Sequence, residues 1–213
     1  MIDPLATAIS LLALGVSGLT AWLTLFRRGT VQMTQPMVII FFGPDGPDHS
    51  GTSPSSKVFL RTLIFSTSKR GRVIESMYLT LTRIESRQNF NIWIYGTETL
   101  VRGSGLYVDE TGMATNHHFL LPEDGTNFVF SEGSYTIDVR AKLLGDASPV
   151  RHFSQRLEVS HEFARELERP SAGFYFDWGP DSERHMPHIR EQPAKSTSDR
   201  LSDLIDPTPT TNF

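Results

Sequence analysis

Cysteine does not occur among the 213 residues. Disulfides, thiolate–zinc sites and a cysteine nucleophile are therefore excluded. The absence does not fix the compartment, although small extracellular domains often carry a bridge. No Asn-x-Ser/Thr sequon is present either, which favours a bacterial or cytosol-facing domain. A basic excess is missing as well: 20 Lys and Arg stand against 24 Asp and Glu, a formal net charge of −4. Nucleic acid binding needs a basic face, so no nucleic-acid partner is expected. Catalytic signatures are equally scarce. There is no G-x-S-x-G elbow, and no carboxylate pair shares an element with a base. The glycines of "VRGSG" and "FFGPDG" lack the strand-to-helix setting and the lysine of a phosphate loop. No catalytic residue, cofactor or metal is assigned, and a non-enzymatic chain is expected.

What is present begins with "AISLLALGVSGLTAWLTLFRRG", residues 8–29. Leu5 to Phe26 is a run of 22 residues without a charge. As a helix it spans about 33 Å, enough for the hydrocarbon core of a bilayer. A cleaved signal peptide wants a basic leading segment and a shorter apolar core. Here the leading residues are Met-Ile-Asp-Pro, and the basic pair Arg27–Arg28 follows the run instead. Trp22 stands one turn before that pair, the place of an interfacial aromatic anchor. Residues 1–28 are expected to be an uncleaved, single-pass transmembrane anchor. Positive charge favours the cytoplasmic side, so the N-terminus is expected outside and the C-terminal domain in the cytoplasm. The alternative is a domain exported through the same segment and facing outside.

Small and hydroxyl residues fall at Ala6, Ser10, Ala13, Ser17, Thr20 and Thr24. This 4-3-4-3-4 spacing forms one helical seam. Small residues let helix backbones approach, and hydroxyls bond across the contact. Association of two copies through the helix is one reading. The composition of an ordinary anchor rich in small residues is the other.

Residues 31–159 read as strands. In "SYTIDVRAKL", Tyr135, Ile137, Val139, Ala141 and Leu143 alternate with Thr136, Asp138, Arg140 and Lys142. Period two means one buried face and one wet face. Further strands are expected over 31–42, 57–66, 73–84, 89–95, 106–109, 117–120, 127–130 and 150–159, separated by turns such as "SKRGR", "PEDGT" and "LGDASP". Many short strands without intervening helices indicate an all-β, antiparallel sandwich or barrel.

The segment "SEGSYTI" resembles the tyrosine corner of immunoglobulin-like domains. Gly133, Tyr135 and Ile137 match its small residue, its tyrosine and the buried residue beyond. Ser131 stands where an acidic residue is usual, and Ile137 where the family has cysteine. The resemblance implies an immunoglobulin-like β-sandwich over residues 29–168, with the tyrosine hydroxyl bonded to upstream backbone. Trp93 is the candidate for the buried tryptophan of strand C. No activity is implied, because the fold hosts many functions.

Adjacent histidines 117 and 118 point to opposite faces of a strand and so do not share a metal. His185 and His188 have a metal-like spacing, but Pro187 opposes the helix that would align them. Lys69, Arg70 and Arg72 of "SKRGR", with Arg27 and Arg28, are candidate contacts for lipid or an acidic partner. The competing reading is a solvated hairpin end.

Ser160–Glu168 is expected to form a short helix capped by Ser160. Residues 169–213 are expected to be mostly a flexible tail. Within it, "GFYFDWGPD", residues 173–181, places Phe174, Tyr175, Phe176 and Trp178 close together. Aromatics are costly to leave in water. They either fold back on the sandwich as an extra edge strand or form a linear motif that docks into a protein partner. The sequence-level expectation is a membrane-tethered interaction module or accessory subunit, with an unidentified protein partner at the inner face of the membrane.

Overall fold

The computed structural model describes residues 3–43, 56–95, 100–103, 105–122, 124, 127–167, 169 and 172–191. Helix α1 spans Pro4–Ala21. Asp3 caps it by accepting the Leu5 N–H at 2.9 Å, and Pro4 takes a first-turn position that needs no N–H. None of its residues is buried. The apolar stretch Pro4–Thr24 is 21 residues, long enough to cross a membrane. The helix widens into a π turn at Trp22–Phe26, where the rings of Trp22 and Phe26 stack at 5.8 Å. Arg27 then leaves the helix in extended conformation.

Among the described residues twelve strands follow, and all their pairings are antiparallel. They are β1 (Val31–Met33), β2 (Val38–Phe42), β3 (Lys57–Ser66), β4 (Arg72–Arg83), β5 (Ser86–Tyr95) and β6 (Leu100–Arg102). The rest are β7 (Leu106–Val108), β8 (Met113–Leu120), β9 (Gly133–Leu143), β10 (Val150–Val159), β11 (Ala172–Gly179) and β12 (Arg184–Glu191). The hydrogen-bonded path runs β10-β9-β4-β5-β8-β3-β2-β11-β12, with β1 on β3, β6 on β5 and β7 on β4.

Register makes the core. Ile92, Phe119, Val58, Phe41 and Phe174 oppose one another across β5, β8, β3, β2 and β11, and all five are buried. The expected alternation of β9 holds: Tyr135, Ile137, Val139, Ala141 and Leu143 are all buried. The sheet folds over, because Phe41 of β2 meets Tyr135 of β9 edge-on at 6.1 Å although four strands separate β2 from β9 along the path. Phe41 also stacks on Phe130 at 4.6 Å and meets Phe176 edge-on at 5.2 Å. These aromatic contacts join both halves into one apolar interior.

Several expectations need correction. Residues 31–42 form two strands, because the chain breaks from the ladder between Thr34 and Met37 around Pro36. Residues 127–130 lie in no strand, although Phe130 is buried. The largest correction concerns the stretch after residue 168. Residues 172–191 form the β11–β12 hairpin, and β11 lies between β2 and β12 inside the sheet. Residues 192–213 of the expected tail lie outside the described residues. Helix α2 (His161–Glu166) links β10 to this hairpin, with Ser160 as its cap. Phe163 of α2 stacks on Phe174 at 4.5 Å, which fixes the hairpin from one side.

Candidate membrane-proximal site

The link from helix to sheet is four residues, Arg27–Thr30. It is tied to the turn between β3 and β4. The Thr67 N–H donates to Thr30 O at 2.9 Å, and the Thr30 N–H donates to Thr67 Oγ1 at 2.9 Å. Gly29 packs so closely on Ser68 that a Cβ there would lie 2.6 Å from Ser68 atoms. Only glycine fits without moving that turn. Arg72 adds a third tie, donating to Gly29 O at 2.9 Å.

The turn itself closes with the Gly71 N–H donating to Ser68 O at 3.0 Å. Lys69 and Arg70 occupy its two corners and are exposed. Tyr107 of β7 braces it, its hydroxyl donating to Arg70 O at 3.1 Å. A second turn follows β9, closed by the Asp146 N–H donating to Leu143 O at 2.9 Å. It thrusts Leu144 into solvent at 63% exposure, beside Tyr107 at 57%. An open cleft of about 520 Å³ lies between, lined by Arg28, Arg70, Arg72, Tyr107 and Leu144.

The five cations singled out in the sequence thus gather at the end of the sheet where the helix enters. They are not equivalent. Arg72 is spent on structure: besides Gly29 O, it pairs with Asp146 at 3.0 Å. Among the described residues, Arg27, Arg28, Lys69 and Arg70 carry no ion pair, and all are exposed. Lys69 and Arg70 stand exposed in the turn, as the competing reading of a solvated end also has it.

The helix seam is continuous through Ala6, Ser10, Ala13, Ser17 and Thr20, all exposed on α1. Thr24 lies in the π turn, whose wider winding breaks the α-helical phase before it. Ser10, Thr20 and Thr24 each donate to the carbonyl four residues back at 2.8 Å, so these donors are satisfied within the helix.

The aromatic motif is placed differently from a docking segment. Phe174 and Phe176 are buried in the interior and Tyr175 is buried on the opposite sheet face, while Trp178 is half-buried. A motif for partner capture requires accessible rings, so three of the four are unavailable. Tyr175 belongs to one opposed row with Trp93, His118, Phe59, Ile40 and His188 across β5, β8, β3, β2, β11 and β12. Phe59 meets His118 edge-on at 4.4 Å, His188 stacks on Tyr175 at 5.4 Å, and Arg190 lies 5.7 Å over the Tyr175 ring. Trp93 of this row packs with Leu120, apart from the interior around Tyr135. It is buried on a strand, as expected, but outside the core that holds Tyr135.

His117 faces the interior and His118 the outer row, as adjacent strand residues must. His117 Nε2 lies 3.3 Å from Thr62 O, and burial holds its pKa below 6.5 against that hydrogen bond. His185 Nε2 contacts Pro36 O at 3.0 Å, whereas His188 faces Asp177 at 3.6 Å. The pair does not converge. Among the described residues, no group of three or more His, Asp or Glu side chains is arranged to hold a metal ion. Comparisons with protein-family models, with curated proteins and with solved structures each return no match.

Proposed function

We propose that this chain is a membrane-tethered, non-enzymatic module that holds or regulates a protein partner at the cytoplasmic face. One observation carries the reading. A wholly exposed apolar helix joins a folded β-domain through four residues, and four exposed cations without an ion pair, Arg27, Arg28, Lys69 and Arg70, lie at that junction. Water is a poor solvent for such a helix, and cations at its C-terminal end favour the cytoplasmic side.

The β-domain is read as an immunoglobulin-like sandwich. The Tyr135 hydroxyl donates to Ser131 O at 2.8 Å and accepts the Ser131 N–H at 2.9 Å, the bonding that the resemblance implies. The folded-over sheet supports the same architecture. Partner contact is assigned to the helix seam rather than to strand addition. Both terminal strands of the path oppose pairing: β12 contains Pro187, and β10 shifts register between Arg151 and Phe153.

The test uses the missing cysteine. Ser154→Cys introduces one thiol at an exposed position of β10. Intact cells are treated with a membrane-impermeant maleimide, with lysed cells as control. Labelling only after lysis is expected. Labelling of intact cells would overturn the orientation and favour an exported ligand- or surface-binding domain.

A further inference from the structure

We propose that the cleft at the helix–sheet junction binds the phosphate of an anionic lipid headgroup in the leaflet from which the helix emerges. This rests on the membrane-anchored reading above and adds a ligand class to it. The first argument is placement. Arg28, which lines the cleft, stands two residues beyond the helix end, and at no more than about 3.6 Å per residue it stays within about 7 Å of that end, roughly one headgroup layer. The hydrogen bonds to Thr30 and Gly29 prevent the 67–72 turn from swinging away.

The second argument is charge. Arg72 is matched by Asp146, which leaves Arg28 and Arg70 on the cleft and Lys69 beside it as free cations. A guanidinium offers a planar fork of donors that fits phosphate oxygens. Cytoplasmic leaflets carry anionic lipid, and each cation held near such a surface strengthens association about fivefold.

The third argument separates a lipid from a free anion. Tyr107 and Leu144 stand exposed beside the arginines. A soluble phosphate gains nothing from an exposed leucine. A bilayer interface does, since aromatic and aliphatic side chains sit at headgroup level while arginines reach phosphate. The turn that displays Leu144 is fixed by the Asp146–Leu143 hydrogen bond and by the Leu144 N–H donating to Val73 O at 2.9 Å. The display is therefore built into the backbone.

The experiment reads amide hydrogen exchange of the 67–72 and 143–146 turns in the full chain. The chain is reconstituted in nanodiscs of phosphatidylcholine alone and of phosphatidylcholine mixed with phosphatidylglycerol. Slower exchange in the anionic discs is expected. Arg28→Gln with Arg70→Gln should abolish the difference, a loss of up to about 30-fold in association. Arg87→Gln, an exposed change near the far end of β4, should leave it intact. Equal exchange in both discs overturns the site, whether or not the variants fold. Glycerol phosphate that slows exchange equally in neutral discs makes it a free-anion site and overturns the lipid assignment. Failure of the chain to enter discs overturns the anchored reading, and the lipid site with it.

Discussion

Tyr135→Phe removes one oxygen and nothing else. The ring keeps its edge contact with Phe41 at 6.1 Å and its place under the Arg83 guanidinium at 5.9 Å. What disappears is the link to Ser131, an accepted bond of 2.9 Å and a donated bond of 2.8 Å. The tyrosine is 1% exposed, so water does not readily replace the hydroxyl. Each net hydrogen bond is worth about 0.5–1.5 kcal/mol, so the expected loss is about 1–3 kcal/mol. For a domain of this size, a loss of about 2 kcal/mol lowers Tm by roughly 4–8 °C. The assay is urea and thermal unfolding of the full chain in detergent, followed by tryptophan fluorescence. A second signature comes from alkali. Burial raises the Tyr135 pKa above its ordinary 10.0, so the unfolded chain loses this proton first. The associated stability is complete below pH 10 and is lost as pH rises toward the folded value. The Phe variant should lack that share of the alkaline decline. A stability change under about 0.5 kcal/mol, with an unaltered alkaline profile, would mean that the phenol does not pin the turn.

Phe176→Ala should cost about 3–5 kcal/mol, because the ring is fully buried against Phe41 and Phe174. Trp178→Ala should cost clearly less in the same unfolding experiment, and the reverse ranking would contradict the placement of the hairpin. Burial lowers the pKa values of His117, His152 and His185 below 6.5. Each holds a proton less readily when folded than when unfolded, so its stabilising share is present above 6.5 and erodes as pH falls toward the folded value. The slope approaches about 1.4 kcal/mol per pH unit per histidine, and a urea midpoint that rises from pH 7 to pH 5.5 would contradict it. Ala13→Leu with Ser17→Leu should weaken self-association in a membrane reporter if the seam joins two copies. An unchanged signal would leave α1 as an anchor alone.

How much of this was legible in the sequence depended on the range of the interactions. The β9 strand was readable because alternation is local and only one of its faces is buried. The tyrosine hydroxyl was readable because its partner lies four residues back. The β11 strand was ambiguous, because Ala172 to Phe176 are buried on both faces and an aromatic run without alternation also describes a docking motif. The β12 strand was hidden by its polar residues and Pro187, and it exists because β11 offers it a complete ladder. The burial of Trp93 was legible, but the sheet face it takes was not, because residue type gives no face without register. The cationic residues were visible singly. Their assembly with Tyr107 and Leu144 was not, since it depends on Gly29 meeting Ser68 and on Arg72 reaching Gly29 across the fold.

The most direct measurement asks whether the helix remains as an anchor. Membranes from cells making the full chain are washed with carbonate, and the retained protein is weighed by intact mass spectrometry beside a variant lacking residues 3–26. The full chain should stay in the membrane pellet at 23.9 kDa, and the shortened chain should be released with an unchanged unfolding midpoint. Release of the full chain by carbonate, or a mass showing cleavage beyond the helix, would contradict the anchored module.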